Sequence, residues 1–301
     1  MERSENLMII DIFKILFKNI KIIILSTSIL SVGVVIFSLS MVDIYHSEAL
    51  VKSSESNQNS SALSSQYSGL ASLAGISMQS GSTDNLKYAS KLLKSRKFFQ
   101  YVIEAEQDNV IVPLIAGIGF NKSNEKIILD SNIYNEDKES FTENIEPGTL
   151  SYLNLHRAFL KNLYIENDLK NGFMIIQYRH YSPIYAEYIV NLLIDSANSY
   201  AREKSKIDAK NAMNYLQAEY ENTSKANIKE LINSLIENNM KSYVYSETKP
   251  DFLMEVIDPG YQPDKKYSPN RTLICILGAF VSLILSSLIV FLLNYIKTSK
   301  E

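Results

Sequence analysis

The chain has 301 residues, with 30 Lys and Arg against 33 Asp and Glu, a formal net charge of −3, and one cysteine. A slightly acidic balance without a basic stripe argues against nucleic acid as a partner, and a lone cysteine excludes an intrachain disulfide. The length is ample for a domain that relies on its own hydrophobic core.

The first element is an apolar run without a charged residue, Ile22 to Val42. About 20 such residues cross roughly 30 Å of hydrocarbon, so the run predicts a transmembrane helix over 22–42. Arg3, Lys14, Lys18 and Lys21 precede it, whereas Lys52 is the first basic residue after it, which places 1–21 in the cytoplasm. The run is longer than the apolar core of a signal peptide, and Ser38-Leu39-Ser40 matches a small-x-small cleavage site poorly. An uncleaved anchor is therefore expected. Ser26, Gly33 and Ser40 recur every seven residues, a small-residue stripe that permits close helix approach. Ordinary bonding of the hydroxyls to backbone carbonyls is the plain alternative.

Ile44 to Val51 loosely alternates and predicts a strand. The serine-rich stretch from Ser53 to Thr83 lacks a period and reads as a loop. Within it, Gly69 to Ile76 is apolar enough to be a buried segment, or a contact surface through Leu70, Leu73 and Ile76. Asp84 is positioned to cap a helix running through Leu92, Leu93, Phe98, Phe99, Val102 and Ile103. Pro113, Gly117 and Gly119 then break periodicity, and the acidic, Asn-rich stretch from Asp130 to Glu146 reads as loops. Thr149 opens a shorter helix with Leu153, Leu160 and Leu163. Asn171-Gly172 is a turn signal before a strand over Phe173 to Arg179.

Ser182-Pro183 is a strong helix start, a capping hydroxyl followed by a proline pre-set for the first helical position. No glycine or proline interrupts Ile184 to Lys249. The pattern predicts one helix over about 183–243, a rod of about 60 residues and on the order of 90 Å. Ile189, Leu192, Leu193 and Ala197 give its beginning an apolar face, and Ile228, Leu231, Ile232, Leu235 and Ile236 its end. Between them only Ile207, Met213 and Leu216 form a thin apolar seam. That seam is expected to be covered by neighbouring copies of the chain.

Phe252 to Ile257 predicts a returning strand beside the one at Tyr45. Thr272 to Ile296 is the second uncharged run and predicts a second transmembrane helix over 272–296, leaving 297–301 in the cytoplasm. Lys265, Lys266 and Arg271 before it outnumber Lys297 and Lys300 after it. The first helix usually dominates orientation, and long loops translocate regardless of charge, so 43–271 is expected outside.

Asp258-Pro259-Gly260-Tyr261-Gln262-Pro263-Asp264-Lys265-Lys266-Tyr267-Ser268-Pro269-Asn270-Arg271 leads directly into the second run. It resembles the proline-rich segment before the second span of chain-length determinant proteins, the polysaccharide co-polymerase family. The spacing from Pro263 to Ser268-Pro269 and the continuation Asn270-Arg271 carry the likeness. Asp11 to Lys14, Leu70 to Ile76, Leu92 to Arg96 and Ser182-Pro183 fall in the family's order. Two departures stand out: the family's first proline falls at Gly260, with Pro259 one place early, and the paired glycines of the span reduce to Gly278. Ser282 and Ser286 continue that face at intervals of four.

The resemblance implies an α+β membrane protein: two transmembrane helices flank a periplasmic domain with an α/β base and one very long extended helix. It further implies a bacterial inner-membrane regulator of polysaccharide length, of the O-antigen type. Its partners would be a ring of its own copies, an inner-membrane polymerase, the growing lipid-linked glycan and the bilayer. A co-polymerase for capsule or exopolysaccharide export is the nearest alternative; a tethered periplasmic receptor or a glycan-cleaving enzyme lies further off. Pro259, Pro263, Ser268, Pro269, Asn270 and Arg271 are the candidate membrane-proximal motif.

Signatures of chemistry are lacking in the sequence. His46, His156 and His180 have no metal-type spacing, no Gly-x-Ser-x-Gly elbow occurs, and Cys275 lies within the second run. Neither a catalytic residue, a cofactor nor a metal is expected. No Gly-x-x-x-x-Gly-Lys-Ser/Thr loop occurs and five residues follow Ile296, so the likeness is to the kinase-free type.

Overall fold

The computed structural model describes residues 16–54, 82–168 and 170–298. Leu70, Leu73 and Ile76, and the segment Asp11 to Lys14, lie outside the described residues. The chain forms two units, one of residues 1–44 with 266–301 and one of residues 45–265.

The larger unit is built on an antiparallel sheet of four strands, β1 Tyr45–Ser53, β6 Leu163–Asp168, β7 Phe173–His180 and β8 Met254–Asp258. Their order across the sheet is β6-β7-β1-β8. Tyr45 pairs with His180 and Val51 with Met174, while Val51 also faces Val256 on the other side. The expected adjacency of the strands after the first apolar run and before the second is therefore present. Burial alternates strictly along β1 and β7, and the inward set of Ala49, Val51, Met174, Ile176 and Tyr178 is fully buried. Gly172, at φ +75°, makes the turn into β7 that Asn171-Gly172 predicts.

Helices cover the inner face. The expected single helix over residues 84–103 is two, α1 Ser82–Leu93 and α2 Arg96–Ala105, with Asp84 inside the first turn rather than at the cap. Ser95 divides them: its backbone is extended and its hydroxyl accepts from the Phe98 amide at 3.2 Å, so it caps the second helix. Helix α3, Gln107–Ala116, departs from the expected break in periodicity, because Pro113 lies within it. It is a helix nonetheless, buried through Val110, Ile111 and Val112, and tertiary packing outweighs the proline penalty. Two short hairpins follow, β2 Gly117–Asn121 with β3 Lys126–Leu129 and β4 Tyr134–Asn135 with β5 Ser140–Phe141. Helix α4, Tyr152–Asn162, ends where Leu163 opens β6. Phe99, Phe159 and Tyr178 stack in series, with ring centroids 5.0 and 5.6 Å apart.

Ser182 caps the long helix α5, Pro183–Asn222, through the Tyr185 amide, with Pro183 in its first turn. Tyr185, Ile189, Leu193, Ile194 and Ala197 recur at helical spacing and bury against the sheet. Beside this start, His180 donates from Nε2 to the Pro113 carbonyl at 3.1 Å and accepts the Ser182 amide on Nδ1 at 3.1 Å. Burial pushes the imidazole pKa down to about 4, against a smaller upward pull from the Pro113 carbonyl.

The rod expected to reach Tyr243 ends at Asn222. Thr223 and Lys225 are extended, and a separate helix α6, Ala226–Thr248, folds back antiparallel along α5. Lys229 lies over the Tyr220 ring at 4.7 Å, Lys206 over the Tyr243 ring at 5.7 Å, and Lys206 pairs with Glu247. Local sequence explains little of the break, since Lys225 makes no side-chain capping bond. Apolar residues at the end of the expected rod explain more. Ile232 is buried and Leu231, Leu235 and Ile236 are half-buried, a burial that a free rod would deny them.

The smaller unit holds two apolar helices, Ile20–Ser40 and Arg271–Thr298. Both are long and apolar enough to cross a membrane. Each begins slightly before the expected span. Their bounds match the expected elements in all but one or two residues at each end.

Candidate functional site

The proline-rich segment is the functional feature expected from the sequence, and its two halves fall in different units. In the larger unit, Pro263 is buried and Pro259 exposed. Between them the chain is gripped from two sides. Ser47 on β1 donates to the Tyr261 carbonyl at 2.7 Å. Asn191 on α5 accepts the Gly260 amide at 2.8 Å and donates to the Gly260 carbonyl at 3.1 Å.

Gly260 marks the departure from the family's pattern, and the contacts give a physical reason for it. A Cβ here would sit 2.9 Å from Val190 Cγ1 and 3.1 Å from Asn191 Oδ1. A proline would add that carbon and remove the amide that Asn191 accepts.

In the smaller unit, Ile44 and Ser268 form an antiparallel bridge, with amides donated in both directions at 2.8 Å between Ile44, Tyr267 and Ser268. The Ser268-Pro269 peptide is cis and Pro269 is buried. Asn270 accepts the Leu273 amide on its side-chain oxygen at 3.2 Å, the geometry of a helix cap. Lys266 and Arg271 both reach the Asp43 carboxylate at 2.9 Å, and Arg271 also donates to the Met41 carbonyl. Two of the three basic residues that gave the contrary charge count thus share one carboxylate. The ends of the two apolar helices are tied to each other by this cluster and by the Ile44–Ser268 bridge.

Along the helices, Gly278 packs directly on Val34, and a Cβ there would collide with that side chain. Ser282 and Ser286 continue the face and are buried, followed by Val290. The first helix answers with Val34 and with buried Ser38, not with the expected stripe. Gly33 and Ser40 are exposed, and a methyl group placed on Gly33 would meet no atom within 4 Å. Ser26 and Ser40 bond to the Ile22 and Phe37 carbonyls of their own helix. Seven-residue steps drift only about 20° each on a straight helix, so the three residues share a face, but it is turned away from Gly278 and does not mark the contact within this pair.

The seam of the long helix is partly closed by the returning α6. Met213 and Leu216 are half-buried, whereas Ile207 remains 58 % exposed. The sequence predicts a seam that needs a neighbouring chain; the same chain supplies much of that cover.

Each histidine has a local role. His46 lies 3.4 Å from Glu48, His156 contacts the Lys94 carbonyl at 3.1 Å, and His180 serves the helix start. Among the described residues, no group of three or more His, Cys, Asp or Glu side chains is placed to hold a metal ion. Asn191 and Asn198, which grip the segment before the second apolar helix, do not stand out in the sequence. Their only signal there is polarity on an otherwise apolar face.

The class defined by these features is an α+β domain with a long helix, carried between two helices apolar and long enough to span a bilayer. Residues 5–106 match the family model of Wzz, chain length determinant protein, in agreement with the resemblance carried by the sequence motifs. No curated protein matches the chain. Solved structures similar to it include two polysaccharide co-polymerases. One is a full-length bacterial polysaccharide co-polymerase, 13 % identical, covering 96 % of this chain and 98 % of that one at a TM-score of 0.43. The other is a fragment of WzzB, a polysaccharide co-polymerase from Salmonella Typhimurium, 10 % identical, covering 75 % of this chain and 100 % of that one at a TM-score of 0.32.

Proposed function

We propose that the chain is a non-enzymatic regulator of the length of a bacterial surface polysaccharide, lipopolysaccharide O-antigen or a related glycan. It acts in the inner membrane as a homo-oligomer, with residues 43–271 in the periplasm, alongside a polysaccharide polymerase and its lipid-linked product. The observation that carries this reading is the match of residues 5–106 to the chain length determinant family. The placing of one domain between two apolar helices supports it. Length control on this reading comes from how copies are arranged around the polymerase, not from bond chemistry. The exposed Ile207 on α5 supports a contact with a neighbouring copy, since an apolar side chain there gains from burial.

Deletion of the gene should broaden or shift the banding of surface polysaccharide on a gel, and a plasmid copy should restore it. An unchanged ladder would overturn the reading. Release of reducing ends from polysaccharide by the purified chain would overturn its non-enzymatic part.

A further inference from the structure

We infer that Asn191 is a positioning residue that fixes the path of the chain from β8 toward the second apolar helix, with Gly260 as its required partner. Both polar atoms of the Asn191 carboxamide are spent on one residue, the oxygen on the Gly260 amide and the nitrogen on the Gly260 carbonyl. Such a two-point grip fixes both the position and the direction of a peptide, as a single bond cannot. Asn198 repeats it seven residues along the same helix. Its oxygen accepts the Leu253 and Met254 amides at 2.8 and 2.9 Å, and its nitrogen donates to the Met254 carbonyl at 2.9 Å.

Two turns separate the asparagines, about 10 Å along α5, so they lie on one face. One holds the start of β8 and the other the chain beyond its end. Among the described residues β8 is an edge strand paired with β1, and the helix supplies hydrogen-bond partners on its other side. Asparagine is a poor choice for a helix interior, and Asn198 is 4 % exposed while Asn191 is half-buried, so helix propensity explains neither position and solvation does not explain Asn198. Gly260 completes the device. Only a residue with an amide hydrogen and no Cβ satisfies Asn191 and clears Val190 at once. Where the family's pattern has a proline, which restrains the chain through its own ring, this chain restrains it from outside with a carboxamide.

The consequence for function rests on the length-regulator reading above: displacement of α5 is passed to the segment that continues into the second apolar helix, so loosening the grip alters product length without touching glycan or polymerase. The test uses the full chain in lipid nanodiscs for hydrogen exchange and the same variants in cells for the polysaccharide ladder. Asn191→Ala should speed exchange of the Gly260 amide by about tenfold, the factor that loss of one ordinary hydrogen bond gives. Peptides from 45–53 and 183–198 should stay as protected as in the wild type.

Val190→Ala with Gly260→Ala removes the 2.9 Å contact, leaves the methyl 3.1 Å from the Cβ at 190 and from Asn191 Oδ1, and keeps the amide, so it should retain more of the protection and of the ladder than a variant that loses the amide. Val190→Ala with Gly260→Pro removes the amide and should shift the ladder as Asn191→Ala does. Unchanged exchange at Gly260 in Asn191→Ala, or equal damage from the two double variants, would overturn the positioning role. If deletion of the gene alters the ladder but Asn191→Ala does not, the coupling to length is wrong and the function stands. If deletion leaves the ladder unchanged, the function itself falls, and exchange alone judges the grip.

Discussion

His180 makes the stability of the α+β domain sensitive to acid in a defined window. Its imidazole is 5 % exposed, stacked 4.3 Å from the Tyr185 ring, and holds the Pro113 carbonyl and the Ser182 amide. Because Nδ1 accepts that amide, the proton sits on Nε2, and the folded state contains the neutral ring. Burial pushes its pKa down from 6.5 to about 4. Between those values the unfolded chain takes up a proton that the folded chain refuses, so stability falls as the pH drops. Above pH 6.5 this group contributes no pH dependence, and below about 4 its loss is complete. At about 1.4 kcal/mol per unit, the window is worth about 3 kcal/mol. Glutamine at 180 keeps a donor for the Pro113 carbonyl and cannot titrate. Chemical unfolding of wild type and His180→Gln, followed from about pH 7.5 to about 4, should show the variant less stable at neutral pH. The difference should shrink by about 3 kcal/mol toward acid. A difference that stays flat across that range would refute the assignment of a buried neutral imidazole.

Two further outcomes follow from the helices. Gly278→Leu should force the second apolar helix away from Val34, so that a short thiol crosslinker joining Cys275 to a cysteine placed at Ser38 reacts in the parent and fails in the variant; equal reaction would contradict the close approach. Spin labels at Lys210 and Met240 should report helix-to-helix proximity, on the order of 10 Å between axes, because α6 folds back on α5; a separation of about 45 Å, the length of roughly 30 residues of continuous helix, would contradict the hairpin.

Local signals in the sequence located the elements whose causes are local. Ser182-Pro183 starts the long helix, Asn171-Gly172 turns into β7, and the two uncharged runs form the two apolar helices. Alternation in β1 and β7 reports a sheet with one covered face. What could not be read has causes far away in sequence. The break at Thr223 to Lys225 lacks glycine and proline, and is set by packing of Ile232 and its neighbours on α5. Helix α3 persists around Pro113 because Val110 and Ile111 are buried in the core. Asn191 and Asn198 act on residues 55 to 69 positions away, and no window of helical length contains both partners. For the same reason the stripe of Ser26, Gly33 and Ser40 is legible as a pattern, whereas the face that meets Gly278 depends on the partner helix.

Protease protection in spheroplasts tests most directly that both apolar helices cross the bilayer and hold the domain outside. Protease added from outside should degrade residues 43–271 while leaving membrane-protected fragments that contain 22–42 and 272–296. An intact chain under these conditions, with digestion only after the membrane is opened, would contradict it.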